Sequence, residues 1–379
     1  MLLPLLAALL SLSPDGGVAD GGAPAGLVDA GPEFTAAEAG DAGPDEADDD
    51  SGDETADDSP DLGEGEAAQL AALATDGGLL YSRDLTDAEL ERRWVEDVES
   101  LGSISVGLAE AGRLINGVHL DEGEAWTVVV PEDSFGTRET VDALKAVAAA
   151  VHEQVPGALP LRVNHISKRN GGYLRPHQTH QSGRDTDLGF YYRDGVTAAS
   201  ARGPREKLMN LEANWALIRA LATLADVQVI LVDFHVQRAL VDYAKASGED
   251  PVWLDRLFHA GPASLLQHAR RHRDHFHVRF YSARSQELGR RVQPLLAKRP
   301  EENLVIYRIH KGDTLGHLAA RYGSTVKLIQ EANRLKNSLL SIGRTLNIPL
   351  RGPCTKCPLP PAVRVPPRLL PPGLGLAGP

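Results

Sequence analysis

Aromatic side chains are scarce in this chain of 379 residues, at 5%, while glycine (37) and proline (25) are abundant. So few large rings, among so many residues that break helices and strands, exclude a chain packed from end to end. Cysteine is nearly absent: only Cys354 and Cys357 occur. A disulfide framework is thereby excluded. Their spacing lacks the βαβ surroundings of a thioredoxin-like motif and a second ligand pair for zinc, which leaves a tail disulfide or two inert thiols. No lysine, arginine or histidine precedes Arg83, whereas nineteen aspartates and glutamates do. Setting those aside from the net charge of −13 leaves the rest of the chain at +6. That part is mildly basic, which suits an anionic polymer as partner. No basic helix is interleaved with aromatics, and a nucleic-acid reader is excluded on that ground.

The apolar start, from Met1 to Leu10, is too short to span a bilayer as a stable helix. It resembles the core of a secretory signal, with the small residues Ala19 and Ala23 downstream and no positive residue ahead of it. We expect a signal peptide over residues 1–23, export to the periplasm, and no membrane span once the signal is removed. Residues 24–82 are mostly Ala, Gly, Asp, Glu, Ser and Pro. They cannot bury enough apolar surface to offset the entropy of ordering, so they read as an acidic disordered linker.

Folded sequence begins near residue 83. Ala125–Pro131 reads as a short strand, and Thr140–Val155 as a helix with Val141, Leu144, Val147, Ala148 and Val151 on one face. Leu161–Ser167 and Asp187–Tyr192 alternate like strands; Arg205–Leu224 is a long amphipathic helix, and Val227–Asp233 a buried strand. Helical pieces are expected over Gln237–Ala246 and Pro262–Arg270, then a last strand over His275–Tyr281. Strands and helices at irregular spacing, without a repeated βαβ unit, indicate an α+β domain with a mainly antiparallel sheet, over residues 83–297. A small second unit follows at 304–350, with two short helices between two strands. Residues 351–379 read as an unstructured Pro-rich tail.

The chemistry concentrates in Arg175–Asp187, where two histidines and two aspartates fall close together. Imidazole and carboxylate are ligands for a borderline-soft divalent metal, and a catalytic site uses three protein ligands and leaves one position open. His180 and Asp187 offer two, and the stretch from His272 to Tyr281 offers a third. His275 and His277, two apart on a strand, face one side of the sheet. No His-Glu-x-x-His motif supplies a general base. Asp185 either orients a ligand histidine or caps a turn. Arg184 is expected on the solvated surface, and His165 and His235 in structural roles.

These motifs carry a family resemblance. Asn116-Gly-Val118, Gly136-Thr137, Ser167 with Gly171-Gly172, His177-x-x-His180-Gln-x-Gly183-x-Asp185-x-Asp187 and His272-x-x-His275-x-His277 look like the penicillin-insensitive murein endopeptidases. The resemblance implies zinc held by His180, Asp187 and His277, with His275 as catalytic histidine and His272 lining the site. His177 matches a position that binds an additional metal in the family. The partners expected before Trp215 stand here as Leu211 and Asn214, which argues against a second ion. Residues 304–350 resemble a LysM module through Tyr307, Gly312-Asp313-Thr314-Leu315, Ala319, Tyr322-Gly323, Leu328, Asn333, Leu340, Gly343, Leu346 and Ile348-Pro349. That resemblance implies glycan binding along Gly312, Asp313 and Thr314 and the turn before Leu340. Together the two imply a zinc endopeptidase acting on peptidoglycan cross-links. A carboxypeptidase on the same scaffold, D,D- or L,D-, or a non-catalytic wall-binding protein are the alternatives.

Overall fold

The computed structural model describes residues 79–354, 357 and 359–373. The signal peptide expected over 1–23 and all of the acidic segment before residue 79 lie outside the described residues. The residues that close that segment are packed: the backbone N–H groups of Leu80, Tyr81 and Ser82 donate to the Glu287 carboxylate.

In chain order the elements are α1 (Asp87–Glu96), β1 (Ile104–Gly107), β2 (Gly112–Ile115), β3 (Val118–His119), β4 (Trp126–Val128), β5 (Phe135–Gly136), α2 (Arg138–Gln154), β6 (Leu161–His165) and β7 (Asp185–Gly189). Then come α3 (Leu211–Leu224), β8 (Val227–Val232), α4 (Phe234–Ala246), α5 (Pro251–Phe258), β9 (Leu266–His268), β10 (His275–Phe280) and α6 (Ala283–Val292). The last four are β11 (Leu304–Arg308), α7 (Leu315–Tyr322), α8 (Val326–Ala332) and β12 (Thr345–Pro349).

The main sheet has the strand order β4-β6-β7-β10-β8-β9. Its centre is antiparallel, and the parallel pairs β4–β6 and β8–β9 form its edges. Strand alternation separates core from chemistry. Leu188, Phe276, Val278, Phe280, Ile230 and Val232 point to one face and join the apolar faces of α2, α3 and α4 in a single core. The alternate residues of β7 and β10, namely Asp185, Asp187, His275, His277 and Arg279, share the other face. Helix α2 begins where the Thr137 side chain accepts from Thr140 N, and α3 where Asn210 accepts from Ala213 N. A second core joins α1, the β1–β2 hairpin and α6 through Trp94, Ile104, Ile115, Leu288 and Val292.

Three expectations need correction. The long helix over Arg205–Leu224 is a 3₁₀ turn, Arg205–Lys207, followed by α3, because Asn210 caps a new start. Residues 262–270 are not helical: a 3₁₀ turn at Gly261–Ala263 leads into β9, whose apolar Leu266 pairs in parallel with Ile230 of β8. Sheet pairing there overrides local preference. The Pro-rich tail is packed over residues 359–373. The Trp253 indole donates to Leu369 O at 2.8 Å, Val365 N donates to the Tyr81 hydroxyl at 2.9 Å, and Arg368 pairs with Asp226. Cys354 and Cys357 form a disulfide.

The second unit is a βααβ fold with its own core of Ile309, Leu315, Leu318, Ile329, Leu346 and Ile348. Thr314 and Thr325 cap its helices, and Gly323 ends α7 in the left-handed region at φ 64.

Helix α6 crosses β1 so closely that a β-carbon on Gly289 would overlap the Ser105 carbonyl oxygen. Gly to Ala ordinarily stabilises a helix by about 0.5–1 kcal/mol. Here the sign reverses. Gly289→Ala is predicted to destabilise by roughly 1–3 kcal/mol, the usual cost of overpacking; thermal melting of the variant checks this, and an unchanged or raised Tm refutes it.

Candidate metal centre

The site is built where β7 pairs with β10 and the loop joining β6 to β7 folds back over them. The register sets His277 opposite Asp187 and Arg279 opposite Asp185. The loop returns His180 to the same point. His180 holds a φ of 66, a left-handed backbone that a non-glycine residue rarely adopts. It is kept there by its neighbours: Gly172 N donates to Gln181 O at 2.8 Å, and Gln181 N to Ala109 O at 3.0 Å.

Three donor atoms converge. His180 Nε2 lies 3.2 Å from His277 Nδ1 and 3.2 Å from Asp187 Oδ1, and His277 Nδ1 lies 3.0 Å from Asp187 Oδ1. All three residues are buried. A small tetrahedral ion with bonds of about 2.0–2.1 Å spaces its ligand atoms about 3.3–3.4 Å apart. The triangle of donors is therefore the right size for one face of such a site, with a fourth position left over. His180 Nδ1 donates to Ile166 O at 2.8 Å, which turns the Nε2 lone pair inward. His277 Nε2 faces Asp185 Oδ2 at 3.4 Å.

Asp185 is a buried partner rather than a turn cap. Its carboxylate receives Arg279 at 2.8 and 3.0 Å, both residues being almost wholly buried. Burial alone would raise its pKa, but the Arg279 guanidinium and the His277 ring hold it well below the carboxylate range. Arg184, expected on the surface, is buried at 1% exposure, and its backbone carbonyl accepts from Phe280 N. The sheet face encloses it because it immediately precedes β7.

Around the triangle stand four more imidazoles. His275 directs Nδ1 to Asp274 Oδ1 at 2.7 Å, and its Nε2 lies 3.7 Å from Asp187. Burial lowers the His275 pKa, yet Asp187 and Asp274 overcome this and raise it. His272 differs: Nδ1 donates to Arg270 O at 2.8 Å, and burial takes its pKa down to about 4, leaving it neutral at neutral pH. Its ring lies 5.0 Å from that of His275. His177 Nδ1 is 3.3 Å from Asp187 Oδ2, its pKa pulled down to about 3 mainly by burial. His165, expected to be structural, stands in β6 directly opposite Asp187 and forms a second potential ligand group with His177 and Asp187. The missed signal was spacing: His165 ends the strand that enters the motif loop. Asn214 lies elsewhere, bonded to the backbone of Tyr191 and Asn210. His235 pairs with Asp233 on the exposed start of α4.

A sequence profile of penicillin-insensitive murein endopeptidases matches residues 105–299, just over half of the chain. The chain belongs to that family. A LysM profile matches residues 307–349. No match was found among curated proteins. The family is one of metallopeptidases, so this murein endopeptidase is a hydrolase whose fold carries a His/Asp group able to hold a metal. Murein endopeptidase and LysM together imply peptidoglycan as partner and an extracytoplasmic cell-wall setting. No helix among the described residues is long and apolar enough to cross a membrane.

In the LysM module Gly312, Asp313 and Thr314 lie in the loop after β11, and Leu340 precedes β12, so both loops flank the same end of the strand pair. Asp313 accepts from His310 N at 2.7 Å, Thr314 caps α7, and Leu340 packs on the module core. Leu339 (80% exposed) and Ile342 (66%), which the sequence reading did not single out, stand beside Leu340.

Burial pulls the His277 pKa down, but Asp185 and Asp187 overcome it and push it up to about 9. A metal requires the deprotonated nitrogen, so binding near neutrality must expel a proton. If the group holds a divalent metal through His277, its affinity is predicted to rise by about tenfold per pH unit between about pH 6 and 8, with roughly one proton released. Calorimetry in buffers of different ionisation enthalpy measures it; a pH-independent affinity would show that the ring is not protonated.

Proposed function

We propose that the chain is a zinc-dependent endopeptidase of the periplasm that hydrolyses the D-alanyl–meso-diaminopimelyl cross-links of peptidoglycan. Its peptidase unit spans 83–297 and its wall-binding unit 304–350. The observation that carries this reading is the convergence of His180, Asp187 and His277 within 3.2 Å of one another, inside the stretch that matches the endopeptidase family. Those three residues hold the metal. When bound, zinc supplies a Lewis acid and a water whose pKa is lowered to about 7.

The chain's own groups divide the remaining work. Asp187 and Asp274 outweigh burial and raise the His275 pKa; in the charged form, with Nδ1 engaged by Asp274, the proton available to substrate sits on Nε2. There it stabilises negative charge developing on the scissile carbonyl and passes to the leaving amine. His272 is neutral, and with Nδ1 donating to Arg270 O its Nε2 is left as a hydrogen-bond acceptor beside the His275 ring. Two histidines pushed in opposite directions are the pattern of an acid and its complement. Asp185 and Arg279 fix His277 from behind. His177 stays neutral and available for a further ion. In the wall-binding unit the backbone around Gly312–Thr314 and the exposed side chains near Leu340 line the glycan groove.

His275→Ala is predicted to keep zinc and to lose about 10²–10⁴-fold in turnover, whereas His277→Ala loses the metal. Elemental analysis of the purified variants reads zinc content, and mass spectrometry of cross-linked muropeptide dimers, with and without chelator, reads turnover. Dimers released as shortened stems rather than intact monomers would indicate a carboxypeptidase, and chelator-insensitive cleavage would remove the metal from the mechanism.

Glycan binding has its own test. Leu339→Asp, at an exposed position, is predicted to weaken co-sedimentation with sacculi by roughly fivefold or more while dimer cleavage is retained. Undiminished sedimentation would count against this groove.

A further inference from the structure

The wall-binding unit is docked against the peptidase through the loop that delivers the metal ligands. Gly172, at φ 76, lies so close to Ile306 of β11 that a β-carbon there would overlap the Ile306 side chain. Farther along the same strand, the Arg308 guanidinium stacks over the Tyr173 ring, 4.5 Å from its centroid, and donates to Gln178 Oε1 at 3.3 Å. At the foot of the module Arg113 of β2, 6% exposed, pairs with Glu302 at 3.0 Å and also donates to its backbone carbonyl. A cavity of about 310 Å³, lined in part by Tyr173, Gln178, Tyr307 and Arg308, remains between the two surfaces. The contact is therefore fastened at discrete points.

All but the Arg113–Glu302 pair fall on the segment from Gly171 to Gln181. It contains two glycines at positive φ and His180 in a left-handed conformation, so its resting conformation is costly in entropy and strain. Its inner side presents His177 and His180; its outer side presents Tyr173 and Gln178 to Arg308. Gln178 is also tied internally, its carbonyl accepting from the Gln181 side chain at 2.8 Å.

We propose that Arg308 and Ile306 are positioning residues for the metal-binding loop. The LysM module then does more than anchor the enzyme to the wall. It holds the loop from outside in the conformation that presents His180 to the metal. Metal retention and turnover depend on it even for a soluble substrate that carries no glycan strand. The inference rests on the reading of His180, Asp187 and His277 as ligands.

The test uses the full chain and three readouts: zinc retention against graded chelator, kcat and KM on soluble muropeptide dimers, and co-sedimentation with sacculi. Arg308→Ala and Tyr173→Ala are each expected to lose zinc at roughly three- to fivefold lower chelator concentration, the scale of one exposed cation–π contact. In both, kcat should fall with KM nearly unchanged, and sacculus binding should persist, which also reports that the module is folded. The double variant should be no worse than either single one. Tyr173→Phe, which keeps the ring, should match wild type. Wild-type zinc retention in Arg308→Ala overturns the proposal, as does an additive double variant. A wild-type chain that takes up no zinc overturns it together with the ligand reading beneath it.

Discussion

Everything at the candidate centre depends on the register between β7 and β10. Antiparallel pairing sets His277 against Asp187 and Arg279 against Asp185, and the two-residue period of a strand turns all four to one face. A slip by one residue would exchange them for Leu188, Phe276 and Val278, burying charge in the apolar core and exposing the core to the cleft. The hydrophobic face therefore enforces the position of the polar one. The buried Asp185–Arg279 pair reinforces it, since removing either partner from such a pair commonly costs about 3–5 kcal/mol.

The cost of this arrangement is electrostatic. Asp185 and Asp187 are both ionised in a dry environment, balanced by Arg279 and by the histidines around them. A metal ion held there would add positive charge where Asp187, His180 and His277 already converge, and would displace a proton that otherwise serves the same balance. Folding and metal uptake thus draw on one set of charges.

Much of this was legible in the sequence because it is local. The His-x-His pair, the spacing of His180 and Asp187 and the apolar stripe of α2 are all patterns within a few residues. What escaped notice is set by distant partners. His165 gains its place beside Asp187 only through the pairing of β6 with β7. Arg184 is enclosed by the same sheet. Leu266 joins a strand because β8 offers it an edge, and the Pro-rich tail is ordered because Trp253, Tyr81 and Asp226 receive it. Asp274 lies next to His275 in sequence, yet only the side-chain geometry reveals the contact.

Asn303 gives the wall-binding unit a mechanical character. The chain enters the module at Leu304 and leaves it at Pro349, paired residues at one end of a two-stranded sheet. Asn303 closes that end: its carbonyl accepts from Leu350 N at 2.8 Å, and its side-chain amide donates to the carbonyls of Leu350 and Gly352. Beyond it the chain runs on to the segment packed against Trp253 and Asp226. The module's two covalent connections are thus gathered at one end of its sheet. Tension applied to the loops at the far end of the strand pair would run lengthwise down both strands to that closed end, where the two connections would share it instead of β12 being peeled from β11 rung by rung.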